Sequence, residues 1–95
     1  MDKLFPIFQV MDQNGNIVSE EHKYIVTEER VKQFFSEMVR IRMFDRKSIS
    51  LQRQGRIGTY APFEGQEASQ VGTALALNSD DWLFPTYRDH GAAMV

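Results

Sequence analysis

The chain has 95 residues, of which 42% are hydrophobic and 25% charged, and its formal net charge is −2. A chain of this length forms at most one small domain and buries only about 65% of its unfolded surface, which leaves a thin stability margin. The composition is typical of a folded globular protein and not of a disordered one. The absence of cysteine excludes a disulfide framework and a thiolate metal site, and it is compatible with a reducing cytoplasm.

The start of the chain carries no targeting signal. Residues 1–6 lack a basic region followed by a long apolar run. No stretch of the sequence approaches the roughly 20 apolar residues that a membrane span requires. We therefore predict a cytoplasmic protein that makes no membrane contact.

Charge is distributed unevenly along the sequence. Residues 1–29 carry six acidic side chains against two lysines, whereas residues 40–56 carry six basic side chains against Asp45 alone. A basic cluster can indicate nucleic-acid binding through the phosphates. Here, however, Asp45 lies at helical pairing distance from Arg42 and close to Arg46, and no interleaved aromatic series offers a stacking platform for bases. We predict internal salt bridges and subunit contacts, and no nucleic-acid partner.

Residues 1–26 are predicted to form an N-terminal arm. Asn14 and Gly15 separate two short apolar stretches, and this pair readily supplies the positive φ values of a tight turn, so the pattern predicts a hairpin-like turn. Residues 19–26 form a polar connector without a strong period. His22 lies among charged neighbours in this connector, and we expect it to be a solvated surface residue.

A long helix is predicted to begin after Thr27. Thr27 is a plausible N-cap, and Glu28 and Glu29 would occupy the first turn, where carboxylates interact favourably with the helix dipole. The period can be followed to Leu51, which gives about 24 residues and a length of about 36 Å. We interpret the stripe of Phe34, Phe35 and Met38 as core or interface packing. The full set of apolar residues at near-helical spacing is Val31, Phe34, Phe35, Met38, Val39, Ile41 and Met43.

Two glycines and a proline then break the helix and predict an irregular loop at about residues 54–64. Loops of this length in compact proteins are often functional. A second helix is predicted at about residues 65–77. Its small residues Ala68, Gly72 and Ala76 recur at four-residue spacing, which predicts a smooth face that another backbone could approach closely.

The C-terminal part of the sequence is predicted to contain a strand followed by a ligand-binding turn. The continuous apolar run 82–84 suits a buried strand, and Pro85 ends its capacity to donate ladder hydrogen bonds. Tyr87 and Arg88 would then lie just past the carboxyl end of the strand, where open α/β sheets bind ligands. The apolar run 91–95 has no capping signal, and we expect the chain to be an N-terminal piece of a longer molecule.

Four segments together resemble the start of the alpha subunit of the thiamin-diphosphate-dependent 2-oxo acid dehydrogenases. Residues 8–12 with the following Asn-Gly turn are similar to the N-terminal arm of that family, and residues 38–45 are similar to its first long helix. The most specific likeness is in residues 53–62 and 65–68. Within the family, the chain looks most like the pyruvate dehydrogenases of Gram-positive bacteria.

The resemblance implies an α/β, thiamin-diphosphate-binding fold. This chain would supply only the N-terminal and mostly helical part of that fold, consisting of an arm, two helices and the first strand. Residues 27–95 would form the start of the cofactor-binding domain, and residues 1–26 would form the arm.

The resemblance also implies an activity, a cofactor and partners. The family carries out oxidative decarboxylation of pyruvate and transfers the acetyl unit to a lipoyl group on the acyltransferase core of a large complex. The cofactor is thiamin diphosphate with Mg2+, bound between alpha and beta subunits of an α2β2 assembly. Tyr87 and Arg88 match the Tyr-Arg pair that contacts the cofactor diphosphate, and guanidinium and phenol donors suit phosphate oxygens.

Other functional groups of the family are not carried over to this chain. Ala61 stands where mitochondrial relatives have a histidine near the substrate, so that role is not assigned. The magnesium ligands, the catalytic histidine and the carboxylate that activates the cofactor would all lie outside this chain. We therefore assign no catalytic and no metal-binding residue here, and we expect the isolated 95 residues to be inactive.

Three residues near these motifs have a simpler structural explanation. Gln66 and Glu67 would by default be first-turn residues that interact with unpaired helix amides, with a subunit contact for Glu67 as the alternative. His90 could carry protons, since imidazole titrates near neutrality, but we prefer a hydrogen-bonded residue at the start of a helix.

Two rival interpretations stay open. The chain could be a truncated, non-catalytic helical interaction module derived from such a subunit, which would fold alone and have no affinity for thiamin diphosphate. It could also belong to a branched-chain 2-oxo acid dehydrogenase alpha subunit. No residue of the chain demonstrably contacts the substrate side chain, so pyruvate is preferred only from the overall similarity of the loop before Gly65.

Overall fold

The computed structural model describes residues 6–95, so the first five residues of the predicted arm lie outside it. The chain divides into two compact units, one ending at Val31 and the other beginning at Lys32. The sequence-based domain boundary between residues 26 and 27 stays a prediction. Within residues 6–95, no helix is both long enough and apolar enough to cross a membrane.

The first unit contains the turn that the Asn14-Gly15 pair predicts. A single antiparallel bridge joins Met11 to Ile17, and Gly15 has φ +85°, a conformation that side chains other than glycine disfavour. Asp12 Oδ1 accepts the backbone N–H groups of Asn14 at 2.9 Å and Asn16 at 2.8 Å. These hydrogen bonds lower the pKa of the Asp12 carboxyl.

The polar connector contains a short 3-10 helix, Glu20–Ile25, and the expectation that His22 is a solvated surface residue was wrong. His22 is half-buried: its Nδ1 lies 2.9 Å from Ser19 Oγ, and its ring meets the Phe8 ring edge-on at a centroid distance of 4.8 Å. His22 is therefore not fully solvated, because it makes a side-chain hydrogen bond and an aromatic contact.

Helix α1 spans Glu28–Arg53, two residues further than the period predicted. The predicted cap is present, since Thr27 Oγ1 accepts the backbone N–H of Arg30 at 3.1 Å. Helix α2 spans Glu67–Leu75 and is shorter than the predicted 65–77, and helix α3 spans His90–Met94. An irregular loop, residues 54–66, joins α1 to α2 and has the predicted position.

The predicted strand at residues 82–84 was wrong. That segment is extended but makes no ladder, and no strand is present among residues 6–95. Trp82 is 81% exposed and Phe84 is 85% exposed, and their rings stack on each other with a centroid distance of 6.3 Å. A strand exists only with a partner strand, and none is available in the described part of this chain.

The core of the second unit is small and joins α1, the loop and α2. Ile41, Phe63 and Val71 are each at most 1% exposed. The partly buried side chains packed on them are Phe34, Met38, Leu75 and Met94. The predicted core role is therefore confirmed for Phe34 and Met38, whereas Phe35 is 66% exposed.

Close backbone approach occurs at Gly91 of α3 and not on the predicted small-residue face of α2. A Cβ at Gly91 would lie 3.1 Å from Ile41 Cδ1 and 3.2 Å from Phe63 Cζ, and it would also overlap Gln70 Oε1. A Cβ at Gly72 would have only one neighbour within 4 Å, at 3.9 Å. The fold thus needs glycine at the start of α3, where it sits against the core.

Candidate cofactor-binding site

Tyr87 and Arg88, the two residues predicted to bind the cofactor, lie in a turn that ends at α3. Asp89 Oδ2 accepts the Thr86 hydroxyl at 2.7 Å and the Thr86 backbone N–H at 3.2 Å. The hydrogen bonds from Thr86 lower the pKa of the Asp89 carboxyl. This Thr86–Asp89 closure fixes the backbone that carries the two candidate residues.

Arg88 is hydrogen-bonded to the loop and to α2. Its Nη1 donates to the Pro62 carbonyl of the loop at 2.8 Å, and its own carbonyl accepts Gln70 Nε2 of α2 at 2.8 Å. Gln70 is 4% exposed, so the second contact is made inside the fold. The backbone and the guanidinium of Arg88 are therefore positioned by separate elements.

Tyr87 lies beside this guanidinium and faces outward. The Tyr87 side chain is 76% exposed, and the Arg88 guanidinium carbon is 5.5 Å from the centre of its ring. At that separation the cation interacts favourably with the aromatic face. The pair is preassembled, although Tyr87 itself is held only by its turn.

The donors of this pair fit an anion such as a diphosphate. A guanidinium carries five N–H donors, and Pro62 accepts only one of those of Arg88. The remaining donors and the Tyr87 hydroxyl suit phosphate oxygens, and a planar guanidinium matches them in pairs. No group of three or more His, Asp or Glu side chains within residues 6–95 is arranged to hold a metal ion.

A second cluster, which the sequence did not predict, lies next to this turn. Asp45 is 1% exposed, and its Oδ1 accepts the Tyr60 hydroxyl at 2.6 Å and the Phe63 backbone N–H at 3.0 Å. His90 Nε2 lies 2.9 Å from the same Tyr60 oxygen. Burial, reinforced by the hydrogen bond to Asp45, raises the pKa of the Tyr60 phenol.

His90 is the hydrogen-bonded helix-start residue that the sequence suggested, with additional aromatic contacts. Its ring meets Phe63 edge-on at 4.7 Å and Tyr60 at 5.2 Å between centroids. No sequence pattern predicts this cluster, because His90 and Tyr60 are 30 positions apart. The expected pairing of Asp45 with Arg42 or Arg46 is not a salt bridge, although the contact with Glu67 and, to a lesser degree, the charge of Asp45 raise the pKa of Arg42.

The predicted internal salt bridges are present, with different partners. Arg42 pairs through Nε with Glu67 Oε1, and Arg46 Nε lies 2.8 Å from Glu64 Oε1. Glu67 is 3% exposed, and its second oxygen accepts the Gly65 backbone N–H at 2.8 Å, in line with the expected first-turn role. Arg42 lowers the pKa of the Glu67 carboxyl.

Two of the clefts in the second unit adjoin residues of these contacts, and neither is lined by Tyr87 or Arg88. The larger, about 630 Å3, is lined by Asp45, Arg46, Ile49, Ser50, Arg53, Gln54, Pro62 and Glu64. The smaller, about 220 Å3, is lined by Gln66, Ser69, Gln70, Thr73, Leu83, Phe84, Pro85, Asp89 and Ala92. The candidate pair therefore lies outside both clefts.

The sequence of this second unit matches a family model. The model described as "Dehydrogenase E1 component" covers residues 36–95, which include the Tyr87–Arg88 turn and the Asp45 cluster. The chain belongs to the dehydrogenase E1 component family. The resemblance inferred from residues 38–45, 53–62 and 65–68 is thereby confirmed.

Curated relatives agree with the family match. The "Pyruvate dehydrogenase E1 component subunit alpha" of Staphylococcus aureus (strain Mu50 / ATCC 700699) is 46% identical over 85 residues, covering 90% of this chain and 23% of the relative. The protein of the same name from Staphylococcus epidermidis (strain ATCC 12228 / FDA PCI 1200) has the same identity and coverage. This E1 chain thus spans about a quarter of the length of these relatives. No solved structure matches it significantly.

Proposed function

We propose that this chain is part of the alpha subunit of a pyruvate dehydrogenase E1 component, in which Tyr87 and Arg88 bind the diphosphate of thiamin diphosphate. The observation that carries the proposal is the Arg88 guanidinium, anchored by one N–H on Pro62 and flanked by an exposed Tyr87. The names and the 46% identity of the staphylococcal relatives support the choice of enzyme. The reaction of the whole enzyme would be oxidative decarboxylation of pyruvate with acetyl transfer to lipoyl groups.

The residues of this chain would bind and orient, and the cofactor would supply the chemistry. Thiamin diphosphate provides the nucleophilic carbon and the electron sink for decarboxylation. Arg88 would neutralise phosphate charge with the N–H groups that Pro62 leaves free, and Tyr87 would donate one further hydrogen bond. Gln70 would hold the Arg88 backbone through the contact inside the fold. Magnesium ligands would come from the remainder of the subunit.

The proposed partners follow from the same assignment. A beta subunit would complete the cofactor site, and a lipoyl acyltransferase core would accept the acetyl group. We propose the cytoplasm as the location. The exposed aromatic pair Trp82 and Phe84 and the exposed Phe35 of α1 are consistent with a surface that other polypeptide segments cover.

Calorimetry on the full-length subunit that carries this sequence, assembled with its beta subunit, tests the proposal. We expect thiamin diphosphate to bind in the presence of magnesium. Arg88→Ala should weaken binding roughly 10- to 100-fold, because charge-assisted hydrogen bonds to a phosphate contribute about 1.5–3 kcal/mol. Tyr87→Phe, which removes only the hydroxyl, should weaken it about two- to tenfold.

The matched control is Arg56→Ala, which removes an exposed arginine of the loop that lies outside the proposed site. We expect it to change the affinity less than about twofold. Equal losses for Arg88→Ala and Arg56→Ala would reject the proposed role of Arg88. A folded assembly with no cofactor affinity would favour the interaction module, and turnover of branched-chain 2-oxo acids in preference to pyruvate would favour the branched-chain enzyme.

A further inference from the structure

The Asp45 cluster sets the direction of its hydrogen bonds. The Tyr60 hydroxyl donates its single proton to Asp45 Oδ1, which also accepts the Phe63 backbone N–H. The Tyr60 oxygen can then only accept from His90, so the proton of the imidazole lies on Nε2. Because the pKa of the Tyr60 phenol is raised, the hydroxyl keeps its proton and this direction persists. Asp45, through Tyr60, thus selects one neutral tautomer of His90.

The other imidazole nitrogen of His90, Nδ1, makes no hydrogen bond with the described residues and is accessible to solvent. No hydrogen bond involves His90 Nδ1 within residues 6–95. The one buried side-chain polar atom without a partner in this part of the chain is Gln70 Oε1, so His90 Nδ1 is not a buried orphan. In the selected tautomer, Nδ1 carries a lone pair. It is therefore an accessible proton acceptor with a fixed orientation.

The His90 ring and the proposed diphosphate donor contact adjacent residues of the loop. The Arg88 guanidinium binds the Pro62 carbonyl, and the His90 ring packs on Phe63, the next residue. The two side chains are also joined through the short turn at Asp89, whose carboxylate interacts electrostatically with His90. An anion bound at Tyr87 and Arg88 would therefore have an imidazole nearby.

We propose that His90 is a proton-accepting residue of the E1 site, with Asp45 and Tyr60 as positioning residues that fix its tautomer. This inference rests on the proposed function. An acidic O–H of a ligand held by Arg88 would transfer its proton to Nδ1, leaving the ligand one charge more negative and His90 as an imidazolium whose Nε2–H still donates to Tyr60. The ionisable groups around His90 are Asp89, which interacts with it electrostatically, and Tyr60, which links it to Asp45, while Arg88 lies in the turn that precedes it.

The first test measures the tautomer and needs no cofactor. In the full-length subunit that carries this sequence, 15N-histidine labelling gives one imidazole pattern for each histidine, and the pattern that His90→Gln removes is that of His90. We expect the long-range 1H–15N correlations of His90 to show one neutral tautomer, protonated on Nε2. Tyr60→Phe, which removes the acceptor oxygen but keeps the ring, should convert this pattern to an average of two tautomers. An averaged His90 pattern in the unsubstituted chain would overturn the proposal.

The second test measures turnover in the full-length subunit assembled with its beta subunit. His90→Gln keeps an amide donor for Tyr60 but cannot take up a proton. We expect it to lower kcat roughly 100-fold or more, in the range of general acid–base catalysis, and to remove the acidic limb of the pH–rate profile. Tyr60→Phe should lower kcat about two- to tenfold and should also displace the acidic limb of the pH–rate profile. If Tyr60 were only a structural contact, its loss would lower kcat without moving the pH profile.

His22→Gln is the matched control for the turnover test, and we expect it to leave the rate and the pH profile unchanged. If His90→Gln leaves both unchanged while thiamin diphosphate still binds in the calorimetric assay, the inference fails and the proposed function stands. If thiamin diphosphate does not bind, both fail, even where the spectrum shows the expected tautomer. The spectrum and the calorimetry together therefore distinguish the two failures.

Discussion

One irregular segment of the second unit is packed against the core, whereas another is largely exposed. Residues 60–66 are held from several directions: Phe63 is 1% exposed, Tyr60 binds Asp45, and the Pro62 carbonyl accepts the Arg88 guanidinium. Residues 78–86 contain a more apolar stretch, yet Trp82 and Phe84 are over 80% exposed. The hydrogen bonds of residues 78–86 are local, such as that of the Asn78 N–H to Asp81 at 2.6 Å.

The difference shows that burial depends on available partners as much as on residue type. Asp45 is a charged residue, and it is buried because two donors from the loop satisfy one of its oxygens. Trp82 is a favoured core residue, and it stays exposed because no described element of this chain packs against it. The loop thus organises the site, whereas residues 78–86 offer an uncovered surface.

Removing the buried ring of the loop should have the largest effect. Phe63→Ala should lower the free energy of unfolding by about 3–5 kcal/mol, through lost burial and the cavity left behind. Since a domain of this size is only marginally stable, we expect the variant to be largely unfolded. Urea denaturation followed by circular dichroism measures both. Trp82→Ala serves as the control and should change the free energy of unfolding by no more than about 0.5 kcal/mol. Comparable losses for Phe63→Ala and Trp82→Ala would contradict the difference between the two segments.

A single added methyl group at the start of α3 should have an intermediate effect. Gly91→Ala places a Cβ 3.1 Å from Ile41 Cδ1 and 3.2 Å from Phe63 Cζ, and we expect a loss of about 1–3 kcal/mol from overpacking. Gly58→Ala is matched to it, since a Cβ there has no neighbour within 4 Å and the residue has no positive φ. Thermal unfolding compares the two. A Gly91→Ala variant as stable as Gly58→Ala would show that the core adjusts at this point.

The smallest expected effect is the pH dependence that Glu67 contributes. Arg42 lowers the folded-state pKa of Glu67 below its ordinary 4.5, so this carboxylate stabilises the fold above about pH 4.5 and loses that contribution as the pH falls through the lowered value. Glu67→Gln should therefore flatten the decline of unfolding free energy between about pH 6 and about pH 3, measured by urea titration at each pH. Glu64→Gln, which alters a 48% exposed partner of Arg46, is the control. Identical slopes for the unsubstituted chain and Glu67→Gln would reject the assignment.

Features set by neighbouring residues were predicted well from the sequence. The N-cap at Thr27, the course of α1 and the loop at residues 54–64 follow from caps, periodicity and helix breakers, which act within a few residues. The family resemblance supplied the Tyr87–Arg88 pair, whose cofactor role remains a prediction.

Features set by distant residues were not predictable in the same way. The apolar run at residues 82–84 has the composition of a strand, but pairing needs another strand, which composition does not reveal. The contact between Asp45 and Tyr60 joins residues 15 apart, whereas the arginines close in sequence, Arg42 three residues away and the adjacent Arg46, suggested a local pair instead. The need for Gly91 likewise arises from packing against α1, α2 and the loop.

The exposed Trp82 gives the molecule an intrinsic optical probe. It is the only tryptophan of the sequence, so the indole emission of this polypeptide originates from one position on the uncovered segment. An indole in water emits at longer wavelength than one in an apolar contact, and the wavelength of that emission therefore reports directly whether a neighbouring polypeptide has covered residues 78–86. The surface that lacks a partner within residues 6–95 is thus also the one on which association with a partner can be followed without any added label.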